Sequence, residues 1–193
     1  LIIYLNFEIN KNNLEEFEMA KWVVDQSHSS VGFEVKHMMV SKVRGKFNAY
    51  TADIEAADLS DLSTASITFS FDVASIDTSS EDRDNHLKSA DFFDVENNAS
   101  IDFKSTSITK DGGDYQVTGD LTIKGVTKPV TFEVEYGGKG KNPWGVEVYG
   151  FEAEAKINRE DFGLTWNAAL ETGGVLVGKE IKVKVELEVN PAA

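Results

Sequence analysis

Few side chains in this sequence have the type and spacing that chemistry requires. The three histidines, His28, His37 and His86, stand singly, without the i, i+2 or i, i+4 spacing that turns two imidazoles toward one metal ion. Asp82, Asp84, Asp91 and Asp94 lie close together, yet they lack the central glycine and closing glutamate of a calcium loop and read as a solvated face. The run Gly173-Gly174-Val175-Leu176-Val177-Gly178-Lys179 has the outline of a phosphate loop, but Glu180 stands where Ser or Thr would bind magnesium. There is no cysteine, which excludes a disulfide framework, a thiolate nucleophile and a cysteine-based zinc site. Serines are plentiful, but no G-x-S-x-G nucleophile elbow occurs. The expectation is therefore no catalytic set, no metal and no cofactor. An enzyme acting on a small apolar substrate would have to be built around His86, the one evident centre for a polar cluster.

The elements that would position any site follow a period of two. Val31, Phe33 and Val35 alternate with Gly32, Glu34 and Lys36, and Ala65, Ile67, Phe69, Phe71 and Val73 alternate with polar residues. The rhythm returns around Phe103, Leu121 and Phe132, and on odd positions from Val175 to Val189. Turn signals fall at Asp111-Gly112-Gly113, Gly125 to Pro129, Gly137 to Gly140 and Thr172-Gly173-Gly174. Between Trp144 and Ile157 the apolar phase slips from even to odd numbers, which predicts a bulge near Tyr149-Gly150. One segment departs from the β pattern: Thr78 and Glu81 form a capping box, with Leu87, Ala90 and Phe93 at helical spacing. The pattern predicts one all-β domain, an antiparallel barrel with a short helix near one mouth.

Composition narrows the partners. A formal charge of −14 repels phosphate backbones, so nucleic acid is not an expected partner. No run reaches the roughly 18 to 20 apolar residues of a transmembrane helix. Residues 1–18 lack the order of a secretory signal, and residues 1–14 draw only on types written by AT-rich codons. Residues 1–18 are therefore expected to be a mis-called or disordered extension, with Met19 as the start and a cytoplasmic location.

Phe33, Val35, Phe47, Ile67, Phe69, Phe71, Phe103, Leu121, Phe132, Phe151 and Trp166 are assigned to the interior. Such a stripe describes a packed core and a ligand channel equally well, since a small barrel does either. Arg44, Arg83 and His86 are the candidates for orienting a head group at the mouth, with ion pairs to nearby acids as their alternative use.

A longer signature is carried by Trp22-Val23-Val24-Asp25, His28-Ser29, Val31-Gly32-Phe33, Arg83 to Leu87, Asp91-Phe92-Phe93-Asp94, Gly119 to Val130 and Arg159 to Leu164. In these motifs the chain resembles the YceI-like family from about Trp22 to Leu187. The resemblance implies a lipocalin-like extended barrel over residues 19–193, with a hydrophobic channel for a polyisoprenoid, an isoprenoid quinone or a fatty-acyl chain. It implies a carrier or store of a long-chain isoprenoid or acyl lipid rather than an enzyme, with a homodimer as the expected assembly if there is one. The alternative to a carrier is a ligand-free interaction scaffold. Two departures stand out: many relatives have a secretory leader, and the proline expected after the Phe-Phe-Asp segment is replaced around Asn98-Ala99.

Overall fold

The computed structural model describes residues 18–192. The expected extension therefore lies outside the described residues, except for Glu18. Eleven strands form one antiparallel sheet: β1 Ala20–Val24, β2 Ser30–His37, β3 Ser41–Phe47, β4 Tyr50–Ala56, β5 Ser66–Asp72, β6 Ile76–Asp77, β7 Ser100–Asp111, β8 Asp114–Ile123, β9 Val126–Lys141, β10 Glu147–Asn158 and β11 Val177–Pro191.

The eleven strands are eight staves. Strands β1 and β2 form one stave interrupted at residues 25–29, because β11 pairs with both, Val189 facing Val24 and Val183 facing Phe33. Strands β3 and β4 form the next, pairing with β2 and β1 in turn, and β5 with β6 the third. Each later strand pairs with its sequence neighbour, and β11 returns to β1, so the sheet closes as a lipocalin-like up-and-down barrel.

Closure sends odd-numbered residues inward on most staves. Tyr115, Val117, Leu121 and Ile123 of β8 are buried, while Gln116 and Asp120 are exposed. Two inward positions carry glycine for a steric reason. A Cβ on Gly119 would overlap the Phe103 ring and lie 2.5 Å from the Lys104 carbonyl oxygen, while one on Gly45 would overlap the Phe33 ring. The missing side chains let those rings lie against bare backbone.

Several boundaries differ from the sequence expectation. The bulge falls at Gly150/Phe151 as predicted, but the extra residue belongs to β9: Phe151 faces Tyr136 and Gly150 faces Gly138. Strand β10 keeps its odd phase through buried Tyr149, and Val146 is left exposed. Gly137 to Gly140 is thus strand, and the chain turns at residues 142–146 instead. At Lys124-Gly125 both residues take positive φ, 50° and 74°, a tight hairpin turn that leaves Val126 to Pro129 in β9. The last strand starts at Val177, because residues 163–176 form a separate loop pinned by Asn167, whose side chain bonds both the N–H (3.0 Å) and the carbonyl (2.7 Å) of Val177.

The helix α1, Glu81–Lys88, is present without the predicted capping box. Asp84 takes that role, accepting from the Thr78 N–H at 2.9 Å and the Thr78 hydroxyl at 2.5 Å. No residue of α1 is fully buried, and the apolar cover comes from Leu87 together with Phe92 and Phe93 just beyond the helix.

Gly119→Ala is expected to destabilise the barrel by about 1–3 kcal/mol, the usual cost of overpacking. Gly113→Ala, with nothing within 4 Å of the added methyl, should stay within about 0.5 kcal/mol of the parent. Urea denaturation of both variants checks this, and equal losses would contradict the ring-on-backbone contact.

Candidate functional site

The interior is not fully packed. A cavity of about 240 Å³ runs inside the barrel, lined by inward residues of every stave and by the cover. That exceeds the roughly 150 Å³ of an apolar cavity that stays dry and takes benzene. On β11 its lining reaches from Val177 to Val189. At about 3.3 Å per residue and a tilt near 40°, that is roughly 30 Å along the axis, so the space is long and narrow.

One end is sealed by a short repeated motif. In Asp58-Leu59-Ser60-Asp61-Leu62-Ser63, each aspartate accepts from the N–H two residues on, at 2.8 Å for Ser60 and 3.0 Å for Ser63. These Asx turns aim Leu59 and Leu62 inward, where only 1% and 3% of their surface is accessible, and the Tyr115 hydroxyl donates to the Ser60 carbonyl at 3.1 Å. At the other end Leu87, Phe92, Phe93 and Leu164 form the cover.

Ten of the expected contact residues line the space: Phe33, Val35, Phe47, Ile67, Phe69, Phe71, Phe103, Leu121, Phe132 and Phe151. Their rings touch in series, with Phe47 against Phe33 and Phe71, and Phe71 stacked on Phe69 at 5.7 Å. The other four, Arg44, Arg83, His86 and Trp166, are not part of that lining. Arg44 has an even number on β3, points outward and sits 3.6 Å from Glu34. Arg83 donates to the Thr78 hydroxyl at 2.8 Å and its carbonyl at 2.6 Å, which holds the turn before α1. His86 bonds Asp91 at 2.9 Å and meets the Phe92 and Trp166 rings edge-on. Trp166 packs there, behind the cover, and neither it nor His86 reaches the cavity.

Arg159 is the charged residue of the lining that sequence reasoning missed, although it stands in a quoted motif. It is buried, with only 3% of its surface accessible, and burial pulls its pKa down. Its donors go to the carbonyls of Gly178 (2.9 Å), Val177 (3.4 Å) and Leu164, tying the 3-10 turn Arg159–Phe162 to β11. The guanidinium is spent on backbone, and the cavity surface is left to carbon.

A second polar group lies outside the barrel, around one of the three single histidines. Asp25, His28 and Glu188 bring ligand-type atoms within 4.8 Å of one another, because Asp25 N–H donates to the Glu188 carbonyl and the Ser29 hydroxyl accepts from the Glu188 N–H, both at 2.9 Å. The Ser27 hydroxyl, then His28, lower the Asp25 pKa from 3.8 to about 2. The hydrogen bond to Asp25, then the charges of Asp25 and Glu188, raise that of His28 above 6.5.

This geometry defines a class: a closed lipocalin-like barrel enclosing an elongated apolar chamber. Residues 22–189 match the family described as YceI-like domain, and the chain belongs to that family. Among its relatives, the UPF0312 protein of Staphylococcus epidermidis is 46% identical over 88% of this chain and 97% of that one. The crystal structure of Burkholderia cenocepacia BcnA aligns with TM-score 0.74 and 28% identity, covering 86% of this chain and 98% of that one. A Campylobacter jejuni YceI protein aligns with TM-score 0.69 and 32% identity over 88% and 96%. A Saccharophagus degradans domain described as polyisoprenoid binding shares the fold, with TM-score 0.63 at 10% identity over 90% and 99%.

The Asp25–His28 pair sets a pH window for residues 25–29. The raised His28 pKa stabilises fully below pH 6.5 and is lost as pH rises through the raised value. The lowered Asp25 pKa stabilises above pH 3.8 and is lost as pH falls through about 2. The loop is thus held best from about pH 4 to 6.5. In an NMR titration, Asp25→Asn should bring the His28 pKa down, and an unmoved value would contradict the pairing.

Proposed function

We propose that this protein binds and carries a single elongated apolar chain, of polyisoprenoid, isoprenoid quinone or fatty-acyl type, inside the barrel. The observation that carries this reading is the carbon-lined cavity extending over nearly the whole of β11. Burying a chain there gains about 0.8 kcal/mol per methylene, so roughly ten methylenes supply about 8 kcal/mol without a polar contact. A polar head group placed inside would lose its water for little in exchange, because each guanidinium nitrogen of Arg159 is already turned to a backbone carbonyl. The chain therefore enters tail first toward Leu59 and Leu62, and its head stays at the covered end. The likeness of fold to the domain described as polyisoprenoid binding supports an isoprenoid among the candidates. The position of His86 outside the cavity favours a carrier over an enzyme.

Organic extraction of the purified protein followed by mass spectrometry should release one class of long-chain lipid. Phe69→Trp should cut its occupancy severalfold while costing less than about 1.5 kcal/mol of stability, because the added ring edge enters open space. Unchanged occupancy with a loss of about 1–3 kcal/mol would mean that Phe69 is packing and the chain lies elsewhere.

A further inference from the structure

The connection between β2 and β3 joins exposed apolar residues to a run of cations. At its tip Met38, Met39 and Val40 expose 44%, 62% and 86% of their surface. Residues 36–46 contain Lys36, Lys42, Arg44 and Lys46 and no acid, in a chain whose 33 Asp and Glu all lie elsewhere. The four cations have even numbers on strands whose odd positions face inward, and all four are exposed on the outer wall. Lys182 and Lys184 continue the patch on β11, opposite Glu34 and Gly32. Glu34 and Glu154 are paired within it, and Asp77 of β6 lies opposite Lys46 at its edge. Glu81 and Asp82 of α1 lie beyond β6, so the basic ground is the hairpin wall and not the whole rim.

The turn itself is strained where strain has no folding benefit. Met38 and Met39 both take positive φ, 51° and 64°, with the Val40 N–H donating to the His37 carbonyl at 3.2 Å. This two-residue turn suits Asn-Gly, and longer side chains pay a penalty there. Two exposed methionines in such a place are poor choices for stability and solubility alike.

The tip also adjoins the cavity. His37 pairs with Val177, and Val35 and Val177 both line the apolar space. We propose that this hairpin docks on an anionic lipid bilayer, with Met38, Met39 and Val40 entering the acyl boundary and the lysines facing the head groups. Charge complementarity selects the membrane, because the patch gathers six cations on one wall and head-group attraction decays within about 8 Å, leaving distant acids screened. The contact would set the rim of the cavity against the source of its ligand. This extension rests on the carrier reading, and it is tested without assuming a bound lipid.

The test is co-sedimentation of the whole protein with vesicles of phosphatidylcholine, alone or mixed in equal parts with phosphatidylserine. Binding is expected to the mixed vesicles, to weaken with salt, and to fall about fivefold per cation removed in Lys36→Gln and Lys46→Gln. Met38→Asn with Met39→Gly relieves the turn, so that variant should fold at least as well, keep its extracted lipid and lose vesicle binding. Failure of the parent to bind either vesicle, or undiminished binding by the Met38→Asn/Met39→Gly variant, would overturn the proposal, as would capture of a protein partner by the hairpin with vesicles left unbound. A parent that yields lipid on extraction but ignores vesicles refutes docking and leaves the carrier standing. One that binds vesicles through the hairpin yet never yields lipid refutes the carrier alone.

Discussion

The pairing of β11 with the first stave is the constraint on which the structure depends. Trp22, Val23 and Val24 face Pro191, Asn190 and Val189, and that contact closes the sheet on itself, with the two-residue β6 paired on one side only. A closed sheet must put alternate residues of each stave inside, so one register decision propagates to every strand. Trp22 reinforces the seam by donating from its indole nitrogen to the Ala56 carbonyl at 3.0 Å while its ring meets Tyr149 edge-on. The interruption at residues 25–29 sits beside this seam, and its hydrogen bonds to Glu188 allow one stave to bend while both halves still pair with β11.

Given closure, the shape of the interior follows from where bulk is withheld. Gly45 and Gly119 accept the Phe33 and Phe103 rings against bare backbone, so large aromatics lie along the wall and do not meet across the axis. A phenyl ring flattened onto a strand leaves the centre open, whereas a ring pointing inward would fill it. The ends are then closed by different chemistry: tight Asx turns at Leu59 and Leu62, and side chains of a longer connection at Leu87, Phe92 and Phe93.

The barrel class was legible because period two is a local property. Phe69 and Phe71 could be assigned to the interior from residues 65–73 alone, and Leu121 from its own strand. What failed was whatever depended on partners distant in sequence. Gly137 to Gly140 looks like a turn in isolation and becomes strand because β10 supplies partners as far as Lys141. For Arg83 and His86 the sequence left two uses open, a head group or nearby partners, and local bonds to Thr78 and Asp91 hold them. Arg159 gives no local sign of burial, since its three carbonyl acceptors come from residues at least five positions away. Leu59 and Leu62 left a faint signal in the doubled Asp-Leu-Ser motif, which predicts paired turns with a leucine held between capped ends.

A wall of carbon also limits what the cavity can discriminate. Sites that recognise a head group do so by leaving their own polar groups unpaired when the wrong ligand enters, a penalty that rejects analogues strongly. Little of that penalty is available where each guanidinium nitrogen of Arg159 already holds a backbone carbonyl and the remaining lining is hydrocarbon and backbone. For a chain carried as proposed, each methylene more or less would change affinity by only about 1 kcal/mol, until the chain met Leu59 and Leu62 and could lengthen no further without unsealing the end. On the proposed carrier reading, selection would be by length and cross-section, set at the sealed end by the Asx turns and along the wall by the flattened rings of Phe33 and Phe103.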